Sequence, residues 1–146
     1  MRHNRLLSLL LVAGLLTACG GPEQPAEIPA PDGPRGGWVI SLAPNLLAEI
    51  LPDTHTSELE LYLVEKDRKT PKPVAALPVL VVQTQGGERK LSEPTPGDML
   101  EGTASNFVFR DESLRADVLR GRLEIELDGK KLATPFATQH ICERDH

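Results

Sequence analysis

Apolar and polar side chains alternate most cleanly along Glu58-Leu59-Glu60-Leu61-Tyr62-Leu63. A period of two puts Leu59, Leu61 and Leu63 on one face and Glu58, Glu60 and Tyr62 on the other, as in a half-buried antiparallel strand. The same alternation returns in Arg122-Leu123-Glu124-Ile125-Glu126-Leu127. There Asp128-Gly129 supplies a type I′ turn, and Lys130 to Ala137 brings the chain back as a hairpin. Trp38 to Leu42 reads as a short strand with Trp38, Ile40 and Leu42 on one face, followed by a turn at Ala43-Pro44-Asn45. The apolar run Leu46 to Leu51 fits either a strand or one to two helical turns, and the strand is preferred. Pro78 to Thr84 is continuous enough for a central strand covered on both faces, and Gly86-Gly87 makes a tight turn into Glu88 to Leu91. Pro94 to Gly97 breaks the pattern. Met99-Leu100 and Ser105 to Phe109 look like further strands, with Phe107 and Phe109 toward the core, and Asp111 as the N-cap of a short helical turn.

About seven or eight short strands, with turn signals roughly every ten residues, predict an all-β fold. The expected architecture is a small antiparallel β-sandwich or barrel over residues 37–138, followed by a flexible tail, 139–146. No sustained helical period and no internal repeat is visible. Ahead of the domain stand Pro22, Pro25, Pro29, Pro31 and Pro34 with Gly20, Gly21, Gly33 and Gly36. Residues 19–36 are therefore expected to be a disordered Pro/Gly-rich tether, and at about 3 Å per residue it reaches up to roughly 50 Å.

Arg2, His3 and Arg5 precede an apolar stretch, Leu6 to Leu16, interrupted only by Ser8 among polar residues. As a helix it rises about 16 Å, too little for a hydrocarbon core of roughly 30 Å, and it fits a secretory signal instead. The stretch ends in Leu16-Thr17-Ala18-Cys19, which resembles the lipobox of bacterial lipoprotein precursors. The resemblance implies cleavage after residue 18 and lipidation of Cys19, a thioether carrying diacylglycerol and the new amino group taking a further acyl chain. Each buried methylene contributes about 0.8 kcal/mol, so two or three chains hold far more firmly than one. It also implies a protein tied to the membrane of the bacterial cell envelope and facing the periplasm. Gly20 after the cysteine, rather than aspartate, leans toward the outer membrane.

Removing residues 1–18 from 146 leaves 128, enough for one domain. That removal takes Arg2 and Arg5 away from 16 basic residues and no acid, so 14 stand against 21 acidic and the net charge is −7. An acidic chain is a poor fit for nucleic acid or for anionic lipid, which leaves membrane attachment to the acyl chains. Five aromatic residues, Trp38, Tyr62, Phe107, Phe109 and Phe136, leave Leu, Val and Ile to build the core. Of the two cysteines, Cys142 has no partner once Cys19 carries lipid, so no disulfide staples the fold.

Gly36-Gly37-Trp38-Val39-Ile40, Leu59 to Leu63 and Leu123 to Lys130 together resemble a recurring secreted bacterial module. Such modules occur as small lipoproteins and as N-terminal accessory domains of heavy-metal efflux adaptors. They commonly open on His-Gly-Gly. This chain has Arg35-Gly36-Gly37, which takes the imidazole away from that end.

Chemistry-bearing residues are few. His140, Cys142 and His146 form a C-terminal cluster with Glu143 and Asp145 between them. Two imidazoles and a thiolate suit Cu(I) or Zn(II), although the spacing fixes no geometry and a solvated tail with an incidental thiol is the competing reading. His55, in Asp53-Thr54-His55-Thr56, sits in a loop where an exposed polar turn is expected. Glu58/Glu60 and Glu124/Glu126 fall on outward faces, where carboxylates are not desolvated toward catalytic use. The chain carries no nucleophile elbow, Walker loop, dinucleotide fingerprint or HExxH.

These residues point to a non-enzymatic, lipid-anchored β-sandwich that serves as a binding or interaction module for an envelope partner. The alternative is a metal-handling accessory protein using His140, Cys142 and His146, and a third reading is an enzyme whose site only the fold assembles. His55 lying beside the C-terminal ligands favours metal, a pocket of titratable groups favours an enzyme, and an apolar patch or bare edge strand favours the interaction module.

Overall fold

Nine strands and one turn of 3-10 helix follow one another through residues 27–140, the part of the chain that the computed structural model describes. The expected signal segment, residues 1–18, and Cys19, Cys142 and His146 lie outside it. Strands β1 (Trp38–Ala43), β2 (Leu46–Asp53) and β3 (Glu58–Val64) form an antiparallel meander. Two later strands extend it: β7 (Asn106–Arg110) pairs with β3, and the two-residue β6 (Thr95–Pro96) lies outermost. The second sheet runs β5 (Gly87–Leu91), β4 (Val79–Thr84), β8 (Val118–Leu127), β9 (Lys130–Gln139). The result is the small all-β sandwich that the alternation predicts.

Local chemistry accounts for the boundaries. Asp128 (φ 53°) and Gly129 (φ 75°) both occupy the left-handed region, as a type I′ turn requires, and set the register Leu127↔Lys130 for the whole β8–β9 ladder. Leu46–Asp53 is a strand, not a helical turn: its inward Ala48 and Ile50 alternate with residues of the opposite face. The β4–β5 loop is Gln85-Gly86, one residue earlier than expected, because Thr84 pairs with Gly87. Two expectations fail. Thr95–Pro96, within the predicted break, forms the short edge strand. Met99-Leu100 is not a strand, because Leu100 and Thr103 exchange backbone hydrogen bonds around Glu101 (φ 52°) and Gly102 (φ 78°) and close a tight turn instead.

The inner faces meet in one core. Leu59, Leu61, Leu63, Ile50, Phe107 and Phe109 come from the first sheet, and Leu80, Val82, Leu119, Leu123 and Ile125 from the second. Leu114 of the 3-10 turn is fully buried and plugs the end of the core beside β2 and β3. Along one margin the sheets approach through β1 and β9, where the Thr134 hydroxyl donates to the Ser41 carbonyl at 3.3 Å. Along the other, Arg89 of β5 forms a two-pronged ion pair with Asp111, just past β7.

Within the tether expected over residues 19–36, the described residues from Pro29 on are not a free linker. From Pro29 on, the chain is a strap laid over the outer face of the first sheet. The Trp38 indole N–H donates to the Pro29 carbonyl at 2.8 Å, and Arg68 reaches the Asp32 carboxylate at 3.1 Å. Glu49 of β2, on the face that would otherwise meet water, is completely buried beneath it. One carboxylate oxygen accepts from the backbone N–H groups of Arg35 (2.8 Å) and Gly37 (3.1 Å), and the other from the Arg35 guanidinium (3.1 Å). That guanidinium also lies 4.2 Å from the centre of the Tyr62 ring. The approach demands glycine: a Cβ on Gly33 would sit 2.2 Å from a Glu49 oxygen, and one on Gly37 would sit 2.6 Å from the Ile50 carbonyl. Proline and glycine here shape a fitted loop rather than a spacer.

Truncating Glu49 leaves three donors facing a buried gap, so Glu49→Ala is expected to cost about 2–4 kcal/mol. Trp38, the one tryptophan of the chain, reports the strap directly. Its emission should shift to the red in Glu49→Ala at temperatures where the sheet circular dichroism is intact. Unchanged emission and melting temperature would show that the strap is not held by Glu49.

Candidate functional site

Antiparallel pairing sorts the loops between the two ends of β3. The β2–β3 turn precedes Glu58, which pairs with Arg110, whereas residues 97–105 precede Asn106, which pairs with Tyr62. The two regions with chemistry to offer therefore stand at opposite ends of the sandwich.

At the first end the Asp53 carboxylate folds back on its own turn, accepting from the N–H groups of His55 (2.9 Å) and Thr56 (3.3 Å). The His55 bond is the main reason its carboxyl lies below the ordinary aspartate value. Ser57 follows with φ 59°, and its carbonyl accepts from the Asp111 N–H at 3.1 Å while its hydroxyl accepts from Arg115. His55 thus projects from a turn tied both to itself and to the 3-10 segment. His140 reaches the same place from the end of β9, where its N–H donates to the Asp117 carbonyl at 2.6 Å. The two imidazole rings meet edge to face, 6.0 Å between centres and 87° between planes. The Thr54 hydroxyl stands 3.4 Å from Nδ1 of His140. Asp53, Thr54, His55, Glu58, Glu60 and His140 line a shallow cleft of about 320 Å³. Among the described residues, no group of three His, Cys, Asp or Glu side chains is placed to hold a metal ion. Of the expected C-terminal ligands, His140 is described, whereas Cys142 and His146 lie outside the described residues.

At the second end the 97–103 loop is tightly made. The Gly97 N–H donates to the Asn106 carbonyl and the Asp98 N–H to the Asn106 side chain, and Val74 and Ala104 exchange backbone bonds at its base. This well-bonded loop nevertheless holds Met99 59 % and Leu100 74 % exposed, the two most exposed large apolar residues of the described chain. Sequence alternation missed them as surface residues. The Glu101-Gly102 pair, a left-handed turn signal, was the clue that the run Asp98-Met99-Leu100 ends in a turn.

Two of the four sheet edges, β5 and β6, are less receptive. β5 exposes Glu88, Arg89 and Lys90, and β6 has two residues, one a proline, which is how natural edges resist strand addition. On the outer face of the second sheet Arg122 pairs with Glu88 (2.7 Å) and Glu124 (2.9 Å), holding the Glu88 carboxyl below its ordinary range. The outward carboxylates have surface partners: Glu58 forms an ion pair with Arg110 at 2.7 Å, and Glu60 accepts a hydrogen bond from the Tyr62 hydroxyl at 2.8 Å. Comparison with known proteins finds no matching family model, no similar curated protein and no matching solved structure.

Asp111 supports the histidine end, and its titration gives a test. Partial burial alone would raise its carboxyl, but the Arg89 bonds and the Ser113 N–H outweigh burial, and the folded-state value is lowered. A lowered value means stability present above the unfolded value of about 3.9 and lost as pH falls through the folded one. Asp111→Ala should cost about 1–2 kcal/mol at pH 7, mainly the lost cap and ion pair. The gap to the parent should narrow in urea melts below about pH 4. A gap that stays constant down to pH 2 would show that the carboxylate charge contributes nothing.

Proposed function

We propose that the chain is a lipid-anchored protein of the bacterial envelope whose sandwich is a binding module for another envelope component. The observation that carries the binding role is the Met99-Leu100 loop. Ordered loops ordinarily tuck large apolar side chains inward, and exposed apolar groups on a fixed scaffold are how interaction surfaces are built. Here the loop is stiffened by hydrogen bonds on both arms and at its base, so docking orders little that is not already ordered. Anchoring rests on Leu16-Thr17-Ala18-Cys19 and the signal-like run before it. With the strap beginning at Pro29, residues 20–28 separate the lipidated cysteine from the domain, a reach of at most about 30 Å. The module works close to the membrane surface, on a short leash.

Two experiments on the whole chain test the two halves of this reading. Cys19→Ser should abolish incorporation of labelled palmitate and move the protein from the membrane to the soluble fraction. Retention of label or of membrane association would overturn the anchor. A photo-crosslinking residue at Leu100 should give a discrete adduct in intact cells, one that a crosslinker at Lys131 on the β8–β9 turn does not give. That adduct should be lost in Met99→Asp. Identical patterns from both positions, or an adduct indifferent to Met99→Asp, would overturn the docking role of the loop.

A further inference from the structure

We propose that the trough at the histidine end binds a neutral glycan, a chain of hydroxylated rings, with Thr138, Asp117 and His140 as polar contacts and Trp38 and Pro52 as apolar walls. The inference does not depend on the docking loop, which lies at the other end of β3. Two clefts of about 300 and 320 Å³ share Pro52, Thr54 and His140 and so run into one another. Each lies at the lower end of the roughly 300–1,000 Å³ range of small-molecule sites. Joined, they offer room for two successive rings rather than one. What singles the trough out is Thr138. This polar residue is only 1 % exposed and lines the first cleft, and none of the described residues gives its hydroxyl a hydrogen bond. A hydroxyl so placed has only the contents of the cleft to bond to.

The rest of the lining selects the class of ligand. Among the described residues no lysine or arginine lines either cleft, so a phosphate or carboxylate finds no counter-charge there. The acids of the second cleft are already engaged: Asp53 by the backbone of its turn, Glu58 by Arg110 and Glu60 by the Tyr62 hydroxyl. Asp117 is then the one carboxylate of the described trough left uncommitted, too little for a multiply charged cation. The polar groups that remain are mixed. Asp117 accepts, the Thr138 hydroxyl both donates and accepts, and His140 has Nδ1 beside Thr54 and keeps Nε2 for either role by tautomer. A ligand hydroxyl, which donates and accepts at once, is the group that satisfies such a set. The Trp38 N–H is committed to the Pro29 carbonyl, so Trp38 offers the first cleft apolar ring, continued by Pro31 and Pro52. A sugar ring divides its surface in the same way, with C–H groups on its faces and hydroxyls around its rim, and its faces pack on indole.

The test uses the whole chain carrying Cys19→Ser, which removes the expected lipidation site. Glucose, N-acetylglucosamine and the β-1,4-linked di- to tetrasaccharides of each are titrated, with Trp38 emission and calorimetry as readouts. Saturable one-to-one binding is expected, tighter for the disaccharide than for the monosaccharide and the same at low and high salt. Thr138→Val and Asp117→Asn should each weaken it about tenfold, the weight of one hydrogen bond. Thr138→Ser, which keeps the hydroxyl, should bind like the parent, as should Met99→Asp at the far end. The Val and Ser variants together separate loss of the hydroxyl from loss of the fold. Equal affinity in Thr138→Val and Thr138→Ser overturns the proposal. Equal affinity for mono- and disaccharide overturns it in favour of a free sugar. Spermidine or inorganic phosphate binding more tightly than every saccharide, or an affinity that falls steeply with salt, overturns it in favour of a charged ligand. No saturable binding by any saccharide overturns it outright.

Discussion

A carboxylate buried with no water to solvate it must be surrounded by donors, and Glu49 obtains all of its donors from residues 35–37. This requirement runs in both directions. The strap has no regular backbone pairing of its own, so it needs the carboxylate, and the carboxylate cannot remain on the outer face of β2 unless the strap covers it. The arrangement fixes where the domain begins and which face of the first sheet is shielded. It also fixes Trp38, whose indole is bonded back to Pro29 at the start of the same strap. Arg35 makes both contacts with one guanidinium, its Nη1 donating to a Glu49 oxygen while its central carbon lies over the Tyr62 ring.

That shielding shapes the histidine end as well. A cleft bordered by Pro31, Gly36 and Trp38 continues to Thr54, Asp117 and His140, so the strap forms one wall of the space into which β9 delivers its last residue. The beginning and the end of the domain therefore converge. Residues that are far apart in the chain, His55 and His140, are brought together by the lengths of β2 and β9 and by the fact that the two sheets lie face to face.

The fold was legible because its strands are half-buried, and a half-buried strand writes its burial into every second residue. Leu59, Leu61 and Leu63 are all fully buried, and the Asp128-Gly129 turn has the two left-handed residues that its composition requires. What alternation could not express was any contact made across a face. Glu49 stands in an apolar run as an outward residue, and nothing local distinguishes it from the solvated Glu60; only the strap does so. Proline and glycine are equally ambiguous, since the composition that keeps a spacer extended also permits a loop to press against a carboxylate. Met99-Leu100 was misread for a related reason. Two apolar residues suit a strand, but the left-handed Glu101-Gly102 turn closes immediately behind them. The meeting of His55 with His140 depends on sheet packing, a long-range property for which no spacing rule exists.

The placement of the two candidate sites has a mechanical consequence. They are separated by the length of β3, seven residues or about 23 Å, and the strands between them form a continuous hydrogen-bonded sheet over a close-packed core. The core is one contiguous apolar cluster shared by both sheets, close-packed between the two ends. A partner on the Met99-Leu100 loop would leave the cleft between His55 and His140, at the opposite end, uncovered. The relation of the two sites is spatial: the histidines stand at one end and the apolar loop at the other, and the strap is laid along the face between them. Under the proposed docking role, the ladder of β3 between β2 and β7 would set how far the loop stands from the opposite end of the sandwich.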